Sequence, residues 1–162
     1  SQISIPMPSG VPVTLQTFAV ALTGFILGWK YGAISVGIYI LLGTVGVPVF
    51  SNFSGGLGAL FGKTGGFIWG FLFLAGFCGV SHITKKKTVI VLSSALGLLI
   101  CHLLGAFQFQ IIAGMGFWES ALLVSVPYLL KDAISVFLAY AVGKVVLKSL
   151  RAANIGLCEK RV

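Results

Sequence analysis

The stretch Ser120–Leu147, SALLVSVPYLLKDAISVFLAYAVGKVVL, is apolar over most of its length, yet it carries Lys131 and Asp132 side by side. About 20 consecutive apolar residues are enough to cross a bilayer as a helix. An ionised side chain at membrane depth costs at least about 2.5–3.5 kcal/mol on insertion scales. The stretch therefore reads both as a membrane span and as part of a polar site built inside it.

The composition agrees. Of the 162 residues, 57% are hydrophobic and 9% charged, with a mean hydropathy of +1.07. A soluble domain carries about 25% charged residues, so this chain cannot cover its surface with water-compatible side chains. Five segments are long and apolar enough to span: roughly Val13–Trp29, Tyr31–Phe50, Gly65–Thr84, Thr88–Ala113 and Ser120–Leu147. They are continuous blocks, not the alternating ten-residue segments of a membrane β-barrel. The expected fold class is an all-α integral membrane protein, with residues 1–162 forming one transmembrane domain. Residues 51–64 are too polar and Gly-rich for a span and too apolar for a solvated linker; they are expected to fold back as a re-entrant or lid loop.

Charge fixes an expected orientation. Of the 11 Lys and Arg residues, all but Lys63 and Lys131 fall on one side of this five-span topology. The positive-inside rule makes that side, including a tail over 148–162, cytoplasmic. The net charge of +8 then reflects topology and attraction to anionic headgroups rather than nucleic-acid binding. Ser1 is expected on the outer side, and Gln2-Ile3-Ser4-Ile5-Pro6 reads as the end of an apolar segment, so one more helix is expected before it.

Several chemistries find no support. Cys78, Cys101 and Cys158 are widely spaced and read as free thiols. His82 and His102 have no ligand-like spacing, so no metal site is assigned. Gly55-Gly56-Leu57-Gly58 and Gly62-Lys63-Thr64 miss the Walker A spacing by one residue, and any ATPase must be a partner protein. No nucleophile or metal cluster suggests an intramembrane enzyme.

The polar residues near the outer ends of the spans fit a ligand site instead. Val47-Pro48-Val49-Phe50-Ser51-Asn52-Phe53-Ser54-Gly55-Gly56 offers Asn52, aromatic rings and accessible amides for a lid. Thr14 reads as a cap or a ligand contact, and Gln16, in the first turns of a span, needs a partner. Neighbours on a helix diverge by about 100°, so Lys131 and Asp132 are each expected to find a separate partner. Small residues at four-residue spacing (Gly24, Gly28, Gly32; Ala33, Gly37; Gly66, Gly70; Ala139, Gly143) allow close helix packing, within the chain or against a partner subunit.

Pro12-Val13-Thr14-Leu15-Gln16-Thr17, Gly46-Val47-Pro48-Val49-Phe50 with Gly55-Gly56-Leu57-Gly58, and Gly62-Lys63-Thr64-Gly65-Gly66 together resemble, in order and spacing, the BioY family: biotin-specific S components of energy-coupling-factor transporters. The resemblance covers essentially the whole chain. It implies a six-helix S-component bundle, here five spans plus a remnant of the first. It also implies high-affinity biotin capture at the outer face of the cell membrane, a transmembrane coupling subunit and two cytoplasmic ATPases as partners, and no cofactor. The family's last-helix motif places Lys three residues after Asp. Here that position is Ser135, and Lys131 stands before Asp132 instead. On this resemblance, Asp132 would accept from the ureido N–H groups of biotin, and Asn52 or Gln16 would serve its carbonyl. Phe53, Trp69, Trp118 and Tyr128 would wall its apolar part, Lys131 or Lys63 would meet its carboxylate, and Thr14, Gly55 and Gly56 would complete the site. An S component for another vitamin, and a stand-alone carrier using Lys131 and Asp132 as a relay, remain as alternatives.

Overall fold

The structure, a computed structural model, describes residues 4–5 and 11–153. Its helices are α1 (Gln16–Thr44), α2 (Leu57–Leu60), α3 (Gly65–Cys78), α4 (Lys87–Ala113), α5 (Phe117–Val124) and α6 (Val126–Ala152), with 3-10 turns at Ser51–Phe53 and Gly79–His82. Ahead of α1, strands β1 (Ser4–Ile5) and β2 (Val13–Thr14) pair antiparallel, Ser4 opposite Thr14 and Ile5 opposite Val13. Four helical stretches are long and apolar enough to cross a membrane: Gln16–Thr44, Gly65–His82, Lys87–Ala113 and Val126–Ala152.

The first of these is a hairpin. Gly28 has φ 80° and ψ 175°, a conformation essentially restricted to glycine, and it divides α1 into arms 16–27 and 29–44. Gln16 and Tyr39 are hydrogen-bonded at 2.7 Å, whereas a continuous helix would set residues this far apart in sequence about 34 Å apart. A side chain at Gly32 would meet the Gly24 Cα at 3.0 Å, so the arms also touch near the bend. The chain thus passes along the bundle five times, as the sequence implies.

The boundaries of the last segment differ from expectation. The run Ser120–Leu147 is not one helix: α5 ends at Val124 and α6 begins at Val126, with Pro127 in its first turn. Proline lacks the N–H an interior helical position must donate, but is well suited to a first turn. The helix then continues to Ala152, past the expected start of the tail. Cys158, Lys160 and Arg161 lie outside the described residues.

In lipid no hydrophobic force drives helices together, so close backbone approach must do it. A Cβ at Gly66 would lie 2.1 Å from the Leu104 carbonyl oxygen, and one at Gly70 would lie 2.6 Å from the Cys101 Cα, both on α4. On the opposite side, a Cβ at Gly24 would lie 2.3 Å from the Ala75 carbonyl oxygen. Helix α3 is therefore sandwiched between α1 and α4. Phe25, Ile68, Phe71, Leu74, Ala75 and Cys78 fill the core around it. Gly143 meets Phe25, seating α6 against the first arm of α1. Among the described residues, Gly37 has no atom within 4 Å of its would-be Cβ and takes no part in this packing.

Replacing Gly66 by Leu should force α3 and α4 apart and destabilise the fold by at least the 1–3 kcal/mol typical of overpacking. Gly76→Ala, where a Cβ meets nothing within 4 Å, should leave the unfolding temperature in detergent essentially unchanged. Thermal unfolding of both variants checks the contrast.

Candidate binding site

Helix α6 brings Tyr128, Lys131 and Asp132 to the end of the bundle away from the Lys85-Lys86-Lys87 loop, where the start of α1 and the loop after it also arrive. Between them lies a cavity of about 50 Å³, lined on its polar side by Thr14, Gln16, Thr17, Lys131 and Asp132. Its apolar side is formed by Val11, Pro12, Phe50, Phe67, Ile68, Phe71, Cys101 and Tyr128, with Ser51 and Thr64 between the two.

Asp132 is the electrostatic centre and is only 6% exposed. Contrary to the expectation of separate partners, the Lys131 ammonium contacts its Oδ1 directly. The long, flexible lysine stem overcomes the angular divergence of adjacent helical positions. The same ammonium donates to the Thr14 carbonyl at 3.0 Å. On the other side, Nε2 of buried His102, on α4, lies 3.3 Å from Asp132 Oδ2, and the Thr17 hydroxyl adds a hydrogen bond to the carboxylate. The His102 ring stands edge-on to Phe67, centroids 5.7 Å apart. A buried carboxylate is thus surrounded by donors from three helices, as a charge in low dielectric requires.

Gln16 has the partner that its position demands. Its amide donates to the Tyr39 hydroxyl at 2.7 Å and its carbonyl accepts from the Thr14 hydroxyl at 3.0 Å. Tyr39 in turn donates to the Val49 carbonyl at 3.1 Å, joining both arms of α1 to the loop that follows. Segment 11–14 lies across the cavity as a strap, held to α6 by Tyr128, whose hydroxyl donates to the Val11 carbonyl at 2.5 Å, and by Lys131 through Thr14.

Loop 51–64 is anchored to the bundle at several points. Phe50, 1% exposed, seats its ring on Gly43, where a Cβ would come within 2.1 Å, and meets Tyr39 edge-on at 5.5 Å. The Gly56 amide donates to the Gly43 carbonyl at 2.6 Å. From α4, Gln108 donates to the carbonyls of Leu60 at 2.7 Å and Gly62 at 2.8 Å. Gly55 and Gly56 serve this closure and do not line the cavity: a Cβ at Gly55 would lie 2.6 Å from the Val47 carbonyl oxygen, and Gly56 has φ +88°.

Of the residues expected at the site, Thr14, Gln16, Tyr128, Lys131 and Asp132 line the cavity, and Asn52, Phe53, Gly55, Gly56, Lys63, Trp69 and Trp118 do not. Asn52 and Phe53, both in the left-handed region at φ 56° and 54°, are exposed at the loop tip, and Phe50 and Ser51 take the wall positions assigned to them. Lys63 is exposed while its neighbour Thr64 faces the cavity. Trp69 and Trp118 are 44% and 79% exposed, on outward faces. On α3 the inward ring positions are Phe67 and Phe71, one helical turn apart, a spacing that points away from Trp69. His102 and Gln108 carried no signal in sequence, because their partners lie on other segments.

With this geometry in place, the comparisons with known proteins are specific. The biotin transporter BioY of Thermotoga maritima is 45% identical over 106 residues, which are 65% of this chain and 62% of that protein. The probable biotin transporter BioY of Pyrococcus horikoshii is 35% identical over 144 residues, 89% of this chain and 85% of that one. Among solved structures, the S-component for biotin from an ECF-type ABC transporter superposes with a TM-score of 0.78 at 26% identity, covering 91% of this chain and 82% of that one. The BioY family model matches residues 1–152, and the chain belongs to the BioY family.

Proposed function

We propose that this protein is the biotin-binding S component of an energy-coupling-factor transporter: it captures biotin in the cavity at the strap end and delivers it inward with a transmembrane coupling subunit and two cytoplasmic ATPases. The observation that carries the reading is the buried carboxylate of Asp132, facing an aromatic wall within a chain of the BioY family. Biotin presents two ureido N–H donors, a carbonyl, an apolar ring system and a carboxylate. Asp132 accepts from the ureido group, and Phe50, Phe67 and Phe71 pack on the apolar rings. Lys131 is the cation for the carboxylate, since it lines the cavity whereas Lys63 is exposed and does not. The basic face of the bundle, with Lys30, Lys85, Lys86, Lys87, Lys144, Lys148 and Arg151, is the cytoplasmic side.

A cavity of about 50 Å³ holds a few waters at most, far less than the roughly 300 Å³ lower bound for ligand pockets. Ligand admission therefore requires a wall to move. The loop after α1 is fixed by Gly43, Gln108 and Phe50. The strap 11–14 is held by the Tyr128 hydroxyl and the Lys131 ammonium of α6, by Gln16 and by its pairing with β1, and two of these attachments are made by side chains that line the cavity. A ligand carboxylate competing for Lys131 weakens one of those attachments directly, coupling capture to strap movement.

A charge-assisted hydrogen bond is worth about 1.5–3 kcal/mol, and about 1.4 kcal/mol is a factor of ten. Asp132→Asn should therefore weaken biotin binding at least about 10-fold in calorimetric titration of the purified protein; unchanged affinity would remove Asp132 from the site. His102→Leu should weaken it by a comparable factor, because it leaves one face of the carboxylate without a donor, while His102→Gln, which keeps an N–H near the Nε2 position, should recover most of the loss. Orientation is testable separately. In intact cells a membrane-impermeant thiol reagent should label Lys63→Cys and spare Lys86→Cys. The reverse pattern would invert the topology.

A further inference from the structure

Outside the cavity, the outward face of α3 carries a second depression, about 420 Å³, at the basic end of the bundle. Its walls are apolar: Leu72, Phe73, Phe77 and Val80 along α3 and the turn after it, closed at one end by Trp29 and Ile83. Gly76 forms its floor, and a Cβ there would meet nothing within 4 Å. This glycine, unlike Gly66 or Gly70, has no packing partner within the described residues. What it maintains is an open groove.

Two features identify the occupant. From Leu72 to Ile83 the groove runs about 17 Å at roughly 1.5–2.0 Å per residue. That is close to half of the ~30 Å hydrocarbon core, the depth of one leaflet. A transmembrane helix of a partner would use the full thickness; an acyl chain uses half. The second feature is charge at the mouth. The Lys30 ammonium sits 5.1 Å from the centre of the Trp29 ring, and Lys85, Lys86 and Lys87, all exposed, follow Ile83 within four residues. Tryptophan is enriched at the membrane–water interface, and clustered Lys there attracts anionic headgroups.

We propose that this groove is a binding site for one anionic phospholipid, its acyl chain lying over Gly76 between Phe73 and Phe77 and its phosphate held by Lys30 and the Lys85-Lys86-Lys87 cluster. The site is independent of the biotin cavity and of which ligand that cavity takes.

Trp29 is the reporter. The full chain carrying Trp69→Phe and Trp118→Phe, so that Trp29 alone emits, is reconstituted in phosphatidylcholine vesicles in which a tenth of the lipid is acyl-brominated, either as phosphatidylglycerol or as phosphatidylcholine. Brominated phosphatidylglycerol should quench Trp29 at least three-fold more than brominated phosphatidylcholine. Gly76→Leu, which fills the groove, should abolish that excess. The combined Lys30→Gln, Lys85→Gln, Lys86→Gln and Lys87→Gln variant should abolish it without occluding the groove. Equal quenching by both lipids in the unsubstituted groove would overturn the proposal. An excess that survives Gly76→Leu would also overturn it, reducing the effect to headgroup attraction at the surface. Absence of quenching by either lipid would show the groove to be covered by protein instead of lipid, and would equally refute it.

Discussion

The ionised side chain of Asp132 can persist inside a membrane only because α1, α4 and α6 each supply it with a donor. Lys131 comes from its own helix, His102 from α4 and Thr17 from α1. An unpaired charge in low dielectric is among the most expensive features that a fold can carry, so these elements are constrained to meet at one point. The strap follows from the same requirement: the ammonium that neutralises Asp132 has spare donors, and one of them holds the Thr14 carbonyl. The polar half of the cavity is what remains between groups arranged to satisfy one carboxylate.

The helices must also approach closely enough for short side chains such as Asp and Thr to reach one another. Gly143 allows this where α6 meets the first arm of α1, and glycines at the α1–α3 and α3–α4 crossings bring backbone against backbone in the rest of the bundle. The sharp bend at Gly28 returns the second arm of α1 beside the first, and this places Tyr39 where it can complete the amide of Gln16. The Gln16–Tyr39 hydrogen bond thus depends on a glycine bend some distance away along the bundle. The outward-facing Gly37 and Gly76 obey a different logic, since nothing among the described residues fills the space they leave.

The two covers of the cavity are not equivalent. Loop 51–64 is fastened by backbone hydrogen bonds, by the Gln108 amide and by the Phe50 ring buried on Gly43. The strap pairs with β1 and bonds Gln16, and it is also held by two side chains of α6 that line the cavity.

Much of this was legible in the chain alone. Long apolar blocks with few charges fix a helical membrane protein, because only internally hydrogen-bonded helices of about 20 residues satisfy a bilayer; the five passes follow from counting them. Lys131 and Asp132 marked the polar cavity, because charge inside such a block points to a polar cluster within the bundle. Gln16 was found by the same reasoning. What sequence could not supply was direction and partnership. Asn52, Lys63 and Trp69 each stand one or two positions from a true wall residue, since the turn at residues 52–53 and the rotation of α3 decide which neighbour points inward. His102 and Gln108 are ordinary residues until α4 packs against α6 and the loop, for their partners are distant in the chain. Tertiary structure alone decided that adjacent Lys131 and Asp132 join, because a flexible lysine stem, given a buried carboxylate and a nearby carbonyl, bends to meet both.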